Sequence, residues 1–512
     1  MAGKIIDTPS RSIAEYEIQE HILLPSHIPD DFSSDKVDLS TTLIKHHSDS
    51  NNSKLRLNIP IISAAMQAVT GPKMAIEMAK LGGLGVIFCS QPPECEAEMV
   101  KAVKDYKAGF VTPDVVSPDT KIEDLIKLAE EKAYSTFPVV EHGRLVGYIT
   151  KNDYHKERHR NLMVRDRMLP FDMDRQKSRV IFAFEDEVNN DLRKAYDILI
   201  ESHHGSLPIV DRNGALKYVV FKKDVDEHLE NPLELVDAQK RYLVGAAINT
   251  RDYNMRVPLL VNAGADILFI DTSQGHTDFV KETLQYVIRE FPSTPIVAGN
   301  VVTKEGFQFL AENGAHGVKA GMGPGSICIT QEQIGVGRGQ ATAIREVAEA
   351  RDNYFRETGI YIPIIADGGI VIAKDITVAL ALGADAVMAG RYVAGCDESP
   401  TEVRVITRIV DGKPHEFREK SYWGEGSARA KQWQEKRYGH ATFDEGVEGN
   451  VPCVGPLKTH MEQALLKIKD GTRKAGCRSI RELHEKAVLQ VISEGSIKEG
   501  RVHDVVSIER YK

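Results

Sequence analysis

Eight short, β-rich apolar runs constrain this chain more than any other feature: residues 59–66, 84–88, 242–248, 267–273, 295–301, 317–322, 362–369 and 386–391. Most are separated by helical patterns. The runs are nearly continuous rather than alternating, as expected of parallel strands covered on both faces by crossover helices. Eight such βα units predict a closed (β/α)8 barrel. The alternative, an open doubly wound sheet, usually announces itself by a GxGxxG turn after its first strand, and none stands there.

At 512 residues the chain exceeds what one core usually supports, so a second domain or a large insertion is expected. The regular alternation breaks over 107–231, leaving barrel segments at 1–106 and 232–512. Inside the break a pattern occurs twice. Phe137-Pro138-Val139-Val140 leads to Gly147-Tyr148-Ile149-Thr150-Lys151-Asn152-Asp153, and Leu207-Pro208-Ile209-Val210 leads to Lys217-Tyr218-Val219-Val220-Phe221-Lys222-Lys223-Asp224. Such a duplication implies two stacked copies of one small unit. It resembles a tandem pair of CBS (cystathionine-β-synthase-type) domains, the Bateman arrangement. In that family the Asp closing each repeat can hold the ribose of an adenine or guanine nucleotide. Asp153 with Thr150 matches, and Asp224 stands at the corresponding place of the second copy, where Phe221 replaces the expected hydroxyl residue. A purely structural insert is the plain alternative.

Composition narrows the class. No window approaches 18 uninterrupted apolar residues, so no membrane span is expected. A net charge of -9 without a basic block argues against a nucleic-acid surface. The six cysteines are scattered, with no CxxC pair, so reduced thiols and no zinc site are expected. Neither end carries a targeting signal, which makes the cytoplasm the default compartment.

In a (β/α)8 barrel the reactive groups sit at the C-terminal ends of the strands, and loops after strands seven and eight often hold a phosphate. Asp367-Gly368-Gly369 closes the seventh run and Gly390-Arg391 the eighth, so backbone N–H groups and a guanidinium converge where a monophosphate can lie. Glycines that merely allow sharp turns are the plain reading of each loop alone. After the sixth run comes Gly321-Met322-Gly323-Pro324-Gly325-Ser326-Ile327-Cys328-Ile329-Thr330. A lone cysteine is more often a small buried hydrophobe, but on an active-face loop Cys328 is a candidate nucleophile.

The motifs GMGPGSICIT, IADGGI, AGNVVT, YWGEGS and EKRY together resemble the IMP dehydrogenase family over nearly the whole chain. The layout, a barrel with a CBS pair after the second strand, is shared in part with GMP reductase. The resemblance implies oxidation of IMP to XMP with NAD, Cys328 adding to C2 of the hypoxanthine ring. It implies a water-activating Arg437 beside Tyr438 on a flap, and Thr330 with Glu445 as a second proton relay. For IMP it implies Met66 at the base, Asp367 on the ribose, Ser326, Gly368, Gly369, Gly390, Arg391 and Tyr422 on the phosphate, and Gly424, Glu425 and Gly426 as further substrate-binding residues. For NAD it implies Arg251, Asp271, Thr272, Ser273, Asn300, Gly321 and Gly323. A potassium ion is implied at Gly323, Gly325 and Cys328, completed by Glu499, Gly500 and Arg501 of a neighbouring subunit, where many members have a second glycine in place of Arg501. A homotetramer is expected, with octamers through CBS pairing. A helix N-cap role is an equally simple account of Asp271 or Thr272, and turn-capping of Asp367. Two other functions compete: GMP reductase, which converts GMP with NADPH and needs no flap base, and a nucleotide-sensing protein whose barrel has lost catalysis.

Overall fold

The computed structural model describes residues 4–6, 15–47, 55–106, 110–111, 113–132, 135–189, 191–237, 241–410, 412–432 and 443–501. The chain divides into two compact units: 1–105 with 233–235 and 242–512, and 106–232 with 236–241.

The larger unit is built on a closed barrel of eight parallel strands. These are β1 (Ile61–Ser63), β2 (Leu84–Ile87), β3 (Gly245–Ile248), β4 (Ile267–Ile270), β5 (Ile296–Val301), β6 (Gly317–Ala320), β7 (Ile364–Asp367) and β8 (Ala386–Ala389). Each lies inside one of the eight predicted runs, and consecutive strands pair until β8 closes on β1, Val387 opposite Ile61. The strands are shorter than the runs because apolar side chains stay buried past the last ladder bond, as Ala64 and Ala65 do beyond β1.

Helices α1 (Pro72–Lys80), α2 (Pro93–Asp105), α3 (Tyr253–Ala263), α4 (Asp278–Glu290), α5 (Lys304–Glu312), α6 (Gln340–Thr358) and α7 (Ala373–Ala381) cover the barrel. Their starts follow local chemistry: Thr277 accepts the Val280 N–H at 3.3 Å and Thr303 the Gly306 N–H at 3.1 Å, each satisfying an otherwise orphaned donor. Between α2 and α3 lies a fully buried ion cluster, in which Arg256 donates to Asp252 at 3.0 Å and to Glu96. After β8 the chain forms an antiparallel sheet, β9 (Val403–Val410), β10 (Lys413–Trp423) and β11 (Glu448–Pro452), before helix α8 (Leu457–Lys474).

In the smaller unit each sequence repeat is a hairpin. Thr136–Glu141 pairs with Arg144–Thr150, and Ser206–Val210 with Leu216–Phe221. Helices Ile122–Lys132 and Leu192–Ser202 precede them, and each half has its own apolar cluster, around Ile122 and Phe137 and around Ala195 and Leu207. The halves meet at Leu145, Phe182 and Val210. Among the described residues, no helix is long and apolar enough to cross a membrane.

Candidate active site at the barrel mouth

Cys328 sits on the loop after β6, half-buried. A short zipper fixes this loop: the Ile329 N–H donates to the Glu445 carbonyl at 2.9 Å, the Val447 N–H to the Ile327 carbonyl at 2.9 Å, and Cys328 bridges Gly446. Its chemical consequence lies in the side chains. The Thr330 hydroxyl donates to Glu445 Oε2 at 3.1 Å, and Thr330 Oγ1 lies 3.2 Å from the Cys328 sulfur. With its hydrogen committed to the carboxylate, the Thr330 oxygen is left to accept from the thiol. The three groups form a path along which a thiol proton can leave.

On the strand paired next to β6, Asp367 ends β7. Its carboxylate accepts from Asn300 Nδ2 at 3.1 Å and from Lys319, which also donates to Asp271 at 3.2 Å. Asp367 therefore caps no turn. Asp271 is no N-cap either, since α4 begins seven residues later with Thr277 as its cap. Burial alone would lower the pKa of the Lys319 ammonium, but the two carboxylates beside it outweigh that and hold it above its ordinary value. Thr272 donates to the Gly299 carbonyl at 2.6 Å, tying the β4 loop to β5. Ser273 and Arg251 are exposed at the same rim, where Asn249 accepts the Arg251 N–H at 2.8 Å. Asn300 Oδ1 is buried with no partner among the described residues.

Two glycines are required by the geometry. A Cβ on Gly321, at φ +142°, would lie 2.1 Å from the Asp367 carbonyl, and one on Gly390 would lie 2.8 Å from the Tyr422 hydroxyl. Close approach of these loops brings Gly390, Arg391, buried Tyr422 and Met66 together, with Met66 Sδ 3.2 Å from the same Gly390 Cβ position. Burial pushes the Tyr422 phenol well up, against the opposing pull of the Arg391 guanidinium. Gly368 and Gly369 follow Asp367 in left-handed conformations, φ +100° and +75°, and Ser326 is exposed on the cysteine loop.

The YWGEGS segment ends β10 and carries Glu425 into a polar cluster. Glu425 Oε1 accepts the Gln67 backbone N–H at 2.7 Å, and Oε2 accepts from Ser90. Gln67 donates to the Ser90 carbonyl at 3.0 Å and accepts from Trp423 Nε1 at 3.1 Å. Burial raises the Glu425 carboxyl to about 7. Gly424 and Gly426 lie against Ile327 and Glu445 of the facing loops.

Lys319, Gln67, Ser90 and Gln340 were not singled out by sequence. Gln340 donates to both the Ala320 and Asp367 carbonyls at 3.1 Å, binding the ends of β6 and β7. The available signal was a lysine inside an otherwise apolar strand. Beside the cysteine loop a groove of 1130 Å³ is lined by Gly323, Pro324, Gly369, Lys374, Gly500 and Arg501, whereas Cys328 is not part of it. Glu499 ends the helix Glu494–Glu499 that leads to this groove. Arg437 and Tyr438 lie outside the described residues.

In the smaller unit, Asp153 Oδ2 accepts from both the Thr150 N–H at 2.7 Å and the Thr150 hydroxyl at 2.8 Å, closing the turn after the first hairpin. Asp224 lies in the helix Lys222–Glu230 that follows the second.

A closed parallel barrel with a half-buried cysteine on a glycine-rich loop after β6, and with Asp271, Asp367 and Arg391 at the ends of other strands, has the layout of a (β/α)8-barrel enzyme whose site lies at the C-terminal ends of the strands. The chain matches the model for the IMP dehydrogenase / GMP reductase domain over residues 16–503, and it belongs to that family. It is 43% identical over 505 residues to inosine-5'-monophosphate dehydrogenase of Tritrichomonas foetus, covering 97% of each chain. It is 38% identical to the same enzyme of Aquifex aeolicus, covering 92% of each, and 36% identical to that of Escherichia coli K12, covering 94% of each. A solved structure of a cysteine-to-alanine variant of Trypanosoma brucei GMP reductase, in complex with guanosine 5'-monophosphate, superposes with a TM-score of 0.81 at 28% identity, covering 98% of this chain and 100% of that one.

Proposed function

We propose that the chain catalyses the NAD-dependent oxidation of IMP to XMP through a covalent nucleotide on Cys328, in guanine nucleotide synthesis. The observation that carries this reading is the path from Cys328 through Thr330 to Glu445 at the barrel mouth. The sulfur forms a bond to C2 of the hypoxanthine ring as the C2–N3 π pair moves onto N3, to re-form when the C2 hydride leaves, while the thiol proton passes to Thr330 and the Thr330 proton to Glu445. The C2 hydrogen leaves with its electron pair, and NAD, when bound, would supply the hydride acceptor. Water then adds at C2, the carbon–sulfur bond breaks, and XMP leaves with the thiol restored. Arg437, beside Tyr438, is assigned as base for that water, with Thr330 and Glu445 as the second route.

For the substrate, Met66 would face the base and Asp367 the ribose hydroxyls, with Gly424, Glu425 and Gly426 as further IMP-binding residues. Ser326, Gly368, Gly369, Gly390, Arg391 and Tyr422 would face the phosphate. Residues suited to NAD are Arg251, Asp271, Thr272, Ser273, Asn300, Gly321 and Gly323. The fit is supported by a half-buried Asp271 carboxylate with one oxygen uncommitted, an exposed Ser273, and the unpartnered buried Asn300 Oδ1. Carbonyls of Gly323, Gly325 and Cys328, with Glu499, Gly500 and Arg501 of a neighbouring copy, suit a potassium ion, since a hard monovalent cation takes oxygen donors. Backbone donors make the side chain at Arg501 a secondary matter. A cytoplasmic homotetramer completes the reading, extended to octamers through the smaller unit, which as a CBS pair would bind adenine or guanine nucleotides near Thr150, Asp153 and Asp224.

The deciding experiment is absorbance at 340 nm with IMP and NAD, repeated with GMP and NADPH. NADH formation in the first mixture supports the dehydrogenase. Consumption of NADPH in the second alone favours GMP reductase, the reading to which the Trypanosoma brucei likeness lends weight. No change in either leaves a nucleotide-binding protein.

A further inference from the structure

Lys319 joins the ends of two barrel strands that carry a carboxylate each. It stands on β6, 2% exposed, between two carboxylates that end different strands, Asp271 after β4 and Asp367 on β7. Each carboxylate gives it one oxygen: Asp271 Oδ1 at 3.2 Å, and Asp367 Oδ2, which Asn300 also meets at 3.1 Å. Asp271 Oδ2 and Asp367 Oδ1 take no hydrogen bond among the described residues. Both side chains keep partial exposure, 28% and 22%, whereas Lys319 keeps 3%.

We propose that Lys319 is a shared positioning residue, whose single ammonium aims Asp271 and Asp367 so that each presents one free oxygen to a different diol-bearing nucleotide. The inference rests on the reading that these carboxylates hold the riboses of NAD and IMP. A carboxylate has two acceptor oxygens, so fixing one by a charge-assisted bond directs the other without using it up. Without the ammonium, two like charges would face each other in a poorly solvated place. One of them would be driven toward its protonated form, and both would lose their aim. The two nucleotide sites are thereby tied to one side chain that touches neither ligand.

The test is calorimetric titration of the full-length protein with IMP alone and with NAD in the presence of IMP, alongside the 340 nm assay. In Lys319→Met both dissociation constants should rise by about tenfold or more, the usual scale for removing one partner of a buried charge pair. In Lys319→Arg, which keeps the charge but changes its reach, both should rise together by a smaller factor. The weakened IMP binding of Lys319→Met should recover in part in Lys319→Met/Asp271→Asn, because the competing negative charge is gone. A merely structural lysine would lower the melting temperature and the fraction of competent sites while leaving these constants alone. If Lys319→Met fails to fold, Lys319→Arg decides. A change in only one constant, or in neither, overturns the proposal. Wild-type protein that binds both nucleotides but makes no NADH would instead defeat the dehydrogenase reading and leave the Lys319 result to stand by itself.

Discussion

Thr330 lies between the Cys328 sulfur and the Glu445 carboxylate: its hydroxyl donates to Glu445 Oε2 at 3.1 Å while its oxygen sits 3.2 Å from the sulfur of Cys328. Interrupting this path should cost catalysis rather than binding. Thr330→Ala and Glu445→Gln are each expected to lower kcat by about 10²-fold, within the range of lost general acid–base assistance, with the Kd for IMP nearly unchanged. Cys328→Ala should abolish turnover while still binding IMP. Steady-state NADH production with parallel calorimetry checks all three, and a Thr330→Ala enzyme of full kcat refutes the path.

Glu425 supplies a pH prediction. Its carboxyl is raised by burial to about 7 from 4.5, so between those values the folded chain holds a proton that the unfolded chain has released. Its contribution to stability is then fully present below about 4.5 and is lost as pH rises through 7. The total is at most about 3 kcal/mol, less because one edge of the residue reaches solvent. Glu425→Gln, neutral throughout, should show a flatter dependence of melting temperature on pH between 5 and 7.5 than wild type. Parallel curves would show that Glu425 does not titrate in this window.

Arg256 predicts a stability effect remote from the chemistry. Its guanidinium is fully buried against Glu96 and Asp252, also buried, and donates to the Gln91 carbonyl at 2.9 Å. Arg256→Met should cost about 3–5 kcal/mol, because it leaves the buried Glu96 carboxylate without its guanidinium. Arg256→Met/Glu96→Gln should regain part of this in denaturant unfolding.

Parallel strands are covered on both faces, so Ile267–Ile270 and Ala386–Ala389 stand out as apolar runs without any tertiary information. Cys328, Thr330 and Glu445 were legible from motifs, and the fold brings them into one path. Lys319 was not legible. A lysine in a buried strand reads as an interruption, and its meaning lies in two carboxylates each 48 residues away, in opposite directions along the chain. The Glu425 cluster was hidden for the same reason: its partners Gln67 and Ser90 are 358 and 335 residues distant, and only barrel closure makes them neighbours.

The potassium assignment makes a simple prediction. Exchanging potassium for a larger organic cation at constant ionic strength should lower kcat severalfold and be reversed on readdition, if Gly323, Gly325 and Cys328 carbonyls hold the ion. Activity indifferent to the cation would remove the site. Arg501→Gly should leave both the potassium dependence and the IMP affinity close to wild type, because backbone carbonyls and not this side chain are assigned to the ion.

The flap separates the two candidate reactions. Only a dehydrogenase must hydrolyse its covalent nucleotide, so only a dehydrogenase needs Arg437 as a base, a role foreign to a free guanidinium, which holds its proton throughout the accessible pH range. If the assignment is right, the steps before and after covalent transfer use different groups. Arg437→Ala should then leave formation of NADH on the first turnover nearly intact while slowing release of XMP. Rapid mixing should show a burst of one NADH per active site followed by slow steady turnover, and quenching should trap a nucleotide on Cys328 detectable by mass spectrometry. Thr330 and Glu445 offer a second route for water activation, so residual hydrolysis is expected, and adding Glu445→Gln should slow it further. The thiol proton complicates that last variant, because Glu445 also terminates the path from Cys328. The burst rate must therefore be compared with that of Glu445→Gln alone. A burst that disappears in Arg437→Ala itself would place Arg437 before covalent transfer and remove the hydrolytic role, and with it the strongest chemical reason for preferring IMP oxidation to GMP reduction.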